Sequence, residues 1–279
     1  MEKYAARLFC DDEGERKGLA RMIFMRADDP RLPQIGRINR EINSETGGYF
    51  FYGWDVVRRY SSEEIDSAGL FRLIVTRSAY FEPAGEDCGT LYDDGPACDV
   101  CLAGAKQVGP LYLDISRIPK SKDIAKTIGG EIVVSQRLVD IFTEHVVTGA
   151  AFRPVRQRKM KNLRPNGWYQ LAVRPPEAEI VPPTRVGLDP FDDDPEGKYR
   201  CPQGDTIGLN LLSEVTIGVG SQYKADVIAT RQFVGRRAGV LRPEKVILVS
   251  PRVRRLFENS RLKGCRFEIA HVEPIMKTD

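Results

Sequence analysis

The chain has 279 residues, with 42 lysines and arginines against 39 aspartates and glutamates, so its formal net charge is only +3. Its length allows one large domain or two modest ones and is ample to bury a core. The proportions of hydrophobic and charged residues, 42% and 29%, are ordinary for globular proteins and exclude long disorder, collagen and coiled coil. No stretch reaches the roughly 18 apolar residues of a membrane span, and the first residues form no signal peptide. We therefore expect a soluble, cytoplasmic protein without membrane partners.

The near-neutral charge argues against general binding to duplex nucleic acid, because such binding depends on an excess of lysine and arginine. The six cysteines are too sparse for a disulfide scaffold, and cytoplasmic thiols are normally reduced. Two broad classes, the generic duplex binder and the small disulfide-rich domain, are therefore disfavoured.

The first 66 residues have no counterpart elsewhere in the chain. They contain two short apolar runs, Met22–Met25 and Tyr49–Trp54. Short apolar runs of this kind indicate strands or a cap on the region that follows. We predict that residues 1–66 form a strand-rich segment that packs on a first lobe.

A repeat occupies the rest of the chain. Residues 132–152 match residues 247–267 at a constant offset of 115 positions, without a gap. Each copy reads as strand, helix, turn and strand. A β-branched run precedes a serine that can cap a helix (Ser135 or Ser250), an apolar face follows at i, i+3, i+4 spacing, and a glycine suits the turn.

Two further pairs of segments match more loosely: Leu70–Val75 with Trp168–Val173, and Asp123–Thr127 with Asp226–Thr230. The sequence therefore predicts an α+β protein made of two similar lobes that arose by internal duplication. The lobes span residues 67–157 and 166–279, and each is a strand–helix–turn–strand unit with a cysteine-knuckle-like insertion. Whether the two lobes share one core is left open by the sequence.

The first lobe carries three cysteines between its matching strands: Cys88, Cys98 and Cys101. A C-x-x-C with a nearby glycine is typical of a zinc knuckle, in which two thiolates and free backbone N–H groups converge on one ion. A structural zinc site needs a fourth ligand, and the candidates are Asp87, Asp93, Asp94, Cys10 and Cys201. Three interpretations stay open: a structural zinc site, a knuckle that has lost its metal, and a redox-active pair. The second half has one cysteine, Cys201, in the corresponding region.

A basic stretch between the lobes contains Arg156, Arg158 and Lys159. Such a stretch is either a solvated linker or a surface that binds an acidic partner or nucleic acid. We carry these three residues forward as candidate partner-binding residues.

An acidic segment in the second lobe, residues 189–197, holds five carboxylates, two prolines and Phe191. It is either a solvent-exposed loop or a preorganised plug for a basic cleft on a partner. In the second interpretation Phe191 is the buried anchor, and Asp192, Asp193 and Asp194 steer the approach of the partner.

Two related halves, each with a cysteine-knuckle region, a Val-Ser-x-Arg helix start and a Gly-x-x-Phe ending, resemble the double-CXXCG motif family of myxobacterial-type paralogous immunity proteins. The likeness runs from about Phe71 onward and is carried by Cys98–Gly104, Lys122–Glu131, Ile132–Phe142 and Thr148–Val155. The resemblance implies a non-catalytic protein that binds and neutralises a cognate protein toxin.

Two other classes of function remain as alternatives. One is a zinc-ribbon protein that associates with nucleic acid in defence or regulation. The other is an enzyme of unfamiliar type, which is disfavoured because neither of the two histidines, His145 and His271, lies in a catalytic motif.

Overall fold

The structure, a computed structural model, describes residues 2–18, 20–158, 167–187, 189–191, 200–205, 210–219, 225–235 and 239–274. Helices and strands are both present and sheet predominates, as expected for the α+β class. In these ranges, no helix combines the length and the apolar character that crossing a membrane requires.

The helices are α1 Glu2–Ala5, α2 Leu32–Thr46, α3 Ser62–Ser67, α4 Gln136–Glu144 and α5 Pro251–Asn259. The strands are β1 Glu15–Lys17, β2 Ala20–Met22, β3 Leu70–Val75, β4 Tyr80–Phe81, β5 Leu91–Asp93, β6 Lys106–Val108, β7 Tyr112–Leu113, β8 Ile124–Thr127, β9 Ile132–Ser135, β10 Ala150–Pro154, β11 Arg156–Gln157, β12 Trp168–Val173, β13 Glu177–Ile180, β14 Val186–Gly187, β15 Asn210–Leu211, β16 Val215–Val219, β17 Val227–Val234, β18 Glu244–Val249 and β19 Cys265–Pro274.

The chain divides into two compact units, and the first consists of Met1–Val57 and Gly187–Lys198. Strands were predicted here, and β1 and β2 do pair, but the main element is the 15-residue helix α2. Its buried face repeats at helical spacing through Ile35, Ile38 and Ile42. The prediction of strands considered only the two apolar runs, which lie before and after this helix. The run Tyr49–Trp54 contains no strand.

The second unit, Arg58–Val186 and Tyr199–Asp279, contains two main sheets. One is a five-stranded sheet in the order β10-β12-β9-β8-β4, and the other is a closed six-stranded barrel in the order β13-β16-β19-β3-β18-β17. The two sheets have corresponding strand orders. In order, the open-sheet strands β10, β12, β9, β8 and β4 correspond to the barrel strands β19, β3, β18, β17 and β13.

The two halves of the sequence exchange strands. Strand β3, from the first half, lies between β18 and β19 of the second half. Strand β12, from the second half, lies between β9 and β10 of the first half. The halves are therefore interleaved rather than side by side, and one hydrophobic cluster contains core residues of both, including Phe142 and Phe257.

Helices α4 and α5 begin in the same way. Ser135 accepts a hydrogen bond from the Leu138 backbone N–H, and Ser250 accepts one from the Val253 N–H, so both predicted N-caps are confirmed. At the other end of each unit, Gly149 has φ +85° and Gly264 has φ +119°. These values favour glycine, as the turn prediction required.

An aspartate–arginine pair ties the start of each helix to the end of the other. In the first half, the Asp123 carboxylate accepts from the Ser135 hydroxyl at 3.2 Å and from the Lys263 N–H at 2.9 Å. Arg137 donates to Asp123 at 3.3 Å and also to the carbonyl oxygen of Ser260, which caps α5. Residues near the end of α5 are therefore held by residues at the start of α4.

The second half repeats this arrangement, with residues at the start of α5 now holding the end of α4. Asp226 accepts from the Ser250 hydroxyl at 2.9 Å and from the Thr148 N–H at 3.0 Å. Arg252 donates to Asp226 at 3.2 Å and to the carbonyl oxygen of His145, which caps α4. Each half is thus joined to the other through one carboxylate, Asp123 in the first half and Asp226 in the second.

Asp226 allows a test of this reciprocal arrangement. Burial alone would raise the pKa of Asp226, but hydrogen bonds from Thr148 and Ser250 and the charge of Arg252 bring it below its ordinary value of about 4. We expect Asp226→Ala to lower the free energy of unfolding by about 2–3 kcal/mol at pH 7, because hydrogen bonds to a charged group are lost.

The loss should shrink as the pH falls below about 4, since protonation then removes the same interactions from the unmodified protein. Urea denaturation at a series of pH values measures it. The exposed Asp66 is the control, and its change to Ala should stay within about 0.5 kcal/mol. An Asp226 effect that is equal at pH 7 and pH 3 would contradict the charge-based account.

Candidate functional site: a cysteine cluster and an acidic turn

The hairpin β5–β6 carries the knuckle with Cys98 and Cys101. Within it, the Cys98 N–H donates to the Ala103 carbonyl at 2.8 Å, and the Val100 N–H points at the Cys98 sulfur at 3.4 Å. Leu102 has φ +58°, the left-handed conformation in which a CXXCG motif places its glycine. The turn therefore keeps a knuckle conformation although leucine stands in the glycine position.

The second half supplies a shorter loop of the same kind. The Cys201 N–H donates to the Asp205 carbonyl at 2.8 Å, and the Asp205 N–H points at the Cys201 sulfur at 3.2 Å. Gly204 between them has φ +84°. Backbone N–H groups directed at sulfur stabilise a thiolate, so this loop is also suited to a metal ligand.

The two loops meet. The sulfur atoms of Cys98, Cys101 and Cys201 all lie within 4.8 Å of one another. All three residues are buried, with exposed fractions of 4%, 1% and 4%. Cys201 was predicted from the sequence as one possible further ligand. In the structure it lies beside the knuckle, although about a hundred residues separate it from Cys101 in the chain.

Asp205 lies against this cluster and was missed by the sequence analysis. Its side chain is buried, with Oδ2 at 3.5 Å from the Cys201 sulfur and 3.7 Å from the Cys101 sulfur. Its other oxygen, Oδ1, accepts from the Phe233 N–H of β17 at 2.8 Å. The sequence feature that could have indicated Asp205 as a ligand is its position four residues after Cys201, directly after Gly204.

The thiols differ in how readily they ionise. Backbone N–H groups of Cys101 and Val100 lower the pKa of Cys98, whereas burial raises the pKa of Cys101 to about 12. Of these two thiols, Cys98 therefore loses its proton more readily. Binding of a metal would require the loss of the remaining thiol protons, so it would be coupled to proton release.

Three buried sulfurs form a soft ligand set that can hold a metal ion such as zinc. A thioredoxin-like redox pair would instead stand at the start of a helix after a strand. Here the C-x-x-C lies in the turn of a hairpin, and no helix begins at either described cysteine. The geometry therefore favours metal binding over that redox interpretation.

The structure places Cys88 away from this cluster. Cys88 ends a 3₁₀ turn, Gly85–Cys88, and is itself buried, with burial raising its pKa. Cys88 was predicted as a ligand because it lies near the C-x-x-C in sequence and is followed by a glycine. In the structure Gly89 adopts a left-handed conformation that terminates the 3₁₀ turn. Of the three cysteines predicted as metal ligands, two are therefore joined by Cys201, and Cys88 is not part of the group.

The described part of the basic stretch is hydrogen-bonded within the second unit. Arg156 lies in β11, where its N–H donates to the Leu111 carbonyl at 2.8 Å and its guanidinium to the Tyr112 hydroxyl at 3.4 Å. The Arg158 N–H donates to the Leu113 carbonyl at 2.9 Å. Both arginines are half-buried, and Lys159 lies outside the described residues.

The acidic segment begins from a packed turn in the first unit. The Phe191 N–H donates to the Asp189 carboxylate at 2.8 Å, and the Phe191 ring lies 5.0 Å from the Phe51 ring. The Phe191 backbone passes so close to Gly36 of α2 that a Cβ on that glycine would clash with the Phe191 carbonyl oxygen. The partner-binding aspartates predicted from the sequence, Asp192, Asp193 and Asp194, lie outside the described residues.

A cleft of about 430 Å³ in the second unit is lined by Arg58, Tyr60, Glu214 and His271, among others. His271 contacts Glu214 through Nε2. The Arg58 guanidinium already binds the buried Glu268 at 2.9 Å and the Leu212 carbonyl at 2.9 Å. Its charge is thus used within the protein, so the cleft presents no strong field of one sign.

Comparison with known proteins finds no match: no family model fits the chain, and no curated protein matches it. The function therefore has to be inferred from the residues and their geometry. The cysteine cluster and the acidic turn are the two features that carry such an inference.

The cysteine cluster predicts metal binding that depends on Cys201. We expect the protein, purified under reducing conditions and reconstituted with Zn²⁺, to hold one equivalent of metal. Cys201→Ser should lose it, because one of three converging sulfurs is removed. Cys88→Ser is the matched control, a buried cysteine outside the cluster that should leave the metal content unchanged. Elemental analysis after gel filtration measures both, and equal metal content in the two variants would contradict the assignment.

The packing of the turn at Phe191, where the acidic segment begins, predicts an unusual effect of a glycine substitution in α2. In a helix, Gly→Ala normally stabilises by about 1 kcal/mol. At Gly36 we expect the opposite sign, because the added methyl collides with the backbone of Phe191. Gly53 is the control in the same unit, since a Cβ there meets open space. Thermal unfolding of both variants tests this, and a stabilised Gly36→Ala protein would mean that the turn does not pack on α2.

Proposed function

We propose that this protein is a non-catalytic, immunity-like protein that binds and neutralises a cognate protein toxin in the cytoplasm, and that it is a divergent relative of the double-CXXCG motif family. One observation carries the proposal. The Cys98–Cys101 knuckle of the first half and the Cys201 loop of the second half meet in one buried cluster. A cysteine loop from each half agrees with a resemblance to a family that has two knuckle motifs, so the geometry and the resemblance support the same assignment.

We also propose that the two halves arose by internal duplication. The support lies in matching strand registers. Leu171 of β12 pairs with Phe152 of β10, and Leu73 of β3 pairs with Phe267 of β19. Phe152 and Phe267 are equivalent residues of the sequence repeat, and so are the strands that contain Leu171 and Leu73. The exchange of β3 and β12 gives each half the same set of neighbours.

The ion is proposed to be zinc with a structural role. Cysteine-rich knuckles of this kind bind Zn²⁺, and structural sites are closed to solvent. As whole residues, Cys98, Cys101 and Cys201 are all at least 96% buried, so an ion held by them would be shielded from a substrate. This burial supports a binding protein over a metalloenzyme.

The acidic segment is the proposed contact with the toxin. Phe191 packs on Phe51 and serves to hold the start of the segment in place, a role that differs from insertion into the partner. Ordering a binding segment before contact reduces the entropy lost on association. The carboxylates of Asp192, Asp193 and Asp194, which follow Phe191 in sequence, would then steer a basic toxin surface into contact.

A pull-down with the tagged, intact protein from its native host tests the function. We expect one protein partner at a stoichiometric level, without nucleic acid. Salt-removable nucleic acid in place of such a protein would contradict the proposal and support the alternative of a zinc-ribbon protein that associates with nucleic acid. Capture of neither would favour an enzyme.

Charge reversal tests the proposed surface once the partner is known. Changing Asp192, Asp193 and Asp194 to Lys should slow association at low salt by tenfold or more, because rim charges act mainly on the association rate. The control reverses three exposed acids elsewhere, Asp66, Asp140 and Glu144, which changes the net charge by the same amount. Surface plasmon resonance at two salt concentrations measures both. Equal rates for the two triple variants would rule out the acidic segment as the contact.

A further inference from the structure

The cysteine cluster is one ligand short of a closed site. Structural zinc is almost always four-coordinate and tetrahedral, and three sulfurs converge here. The family motif would place a second cysteine three residues after Cys201, but Gly204 stands at that position. The next residue is Asp205, and its carboxylate oxygen Oδ2 is directed at two of the three sulfurs.

The distances match a shared ion. Zinc binds cysteine sulfur at about 2.3 Å and carboxylate oxygen at about 2.0 Å, so a sulfur and an oxygen of one tetrahedral site lie about 3.5 Å apart. Oδ2 of Asp205 is 3.5 Å from the Cys201 sulfur and 3.7 Å from the Cys101 sulfur. Two of the oxygen–sulfur pairs therefore already have about the spacing that a bound ion would impose. The Asp205 carboxylate is not within 4.8 Å of all three sulfurs, so binding of an ion would draw Asp205 and Cys98 closer together.

The surroundings of Asp205 also fit a ligand. Only 5% of the residue is exposed, and burial of a carboxylate is costly unless a cation or several hydrogen bonds compensate for it. The Cys101 and Cys201 thiols donate to Oδ2, and a bound ion would take the place of these two protons. Oδ1 accepts from the Phe233 N–H, which fixes the rotation of the carboxylate and leaves Oδ2 facing the cluster. Orientation of a ligand by a hydrogen bond to its second atom is typical of metal sites.

We infer that Asp205 is the fourth ligand, and that Cys98, Cys101, Cys201 and Asp205 form a Cys₃Asp zinc site. This inference rests on the metal binding proposed above but not on the binding of a toxin. The aspartate replaces the missing second cysteine of the second knuckle, one residue later in the chain. The site thus joins a complete knuckle from one half to a half-knuckle plus a carboxylate from the other.

Cobalt substitution of the full-length protein tests this assignment. Tetrahedral Co²⁺ has visible d–d bands, and its near-ultraviolet charge-transfer absorption grows with the number of bound thiolates. We expect the unmodified protein to have the charge-transfer intensity of three thiolates. Asp205→Cys should raise that intensity by about one third, and Asp205→Asn should weaken Zn²⁺ binding by tenfold or more. Asp99→Asn, an exposed aspartate within the knuckle itself, is the control and should change neither.

X-ray absorption of the zinc-loaded protein gives an independent count of ligands, with three sulfurs and one oxygen expected. Four sulfur scatterers, or an Asp205→Asn protein that binds Zn²⁺ as tightly as the Asp99→Asn control, would overturn the inference. If Asp205→Asn fails to fold, the Asp205→Cys protein, which keeps a ligand at this position, still decides the outcome through its thiolate count. A protein that binds no metal would overturn the inference while the pull-down result for the toxin still stands or fails separately.

Discussion

The second unit of this protein depends on a reciprocal pair of aspartate–arginine interactions. Asp123 and Arg137 at the start of α4 hold the residues that follow α5, and Asp226 and Arg252 at the start of α5 hold those that follow α4. Each carboxylate satisfies a helix cap, a backbone N–H and an arginine, so neither half completes its polar contacts alone. The exchanged strands β3 and β12 join the two halves in the same way, through backbone hydrogen bonds.

The cysteine cluster follows from that interleaving. Cys98 and Cys101 are neighbours in sequence, whereas Cys201 comes about a hundred residues later and reaches them only because the halves are assembled into one unit. Closing such a long loop costs chain entropy in the unfolded state, so an ion held by residues of both halves would favour the folded state. In this way a small metal site would reinforce the same contact between halves that the Asp123 and Asp226 carboxylates make.

The chemistry of the protein is divided between its two units. The second unit contains the cysteine cluster and the aspartate–arginine interactions, and the three cysteines of the cluster are buried. The first unit contains the acidic turn, where Phe191 packs on Phe51 and α2 comes into close contact at Gly36. A buried metal site suits scaffolding, and an acidic segment that starts from a packed residue suits recognition. Both features agree with a protein that acts by binding.

The sequence by itself determined the local units: the caps at Ser135 and Ser250, the glycine turns, the apolar helix faces and the knuckle at Cys98. Caps, turns and periodicity act over a few residues, so they can be read directly from the order of side chains. Only the tertiary structure decided the strand exchange, the choice of Cys201 over Cys88, and the place of Asp205 beside the sulfurs. Those outcomes depend on packing between segments that lie about a hundred residues apart in the chain, and local sequence patterns do not specify which distant segments pack together.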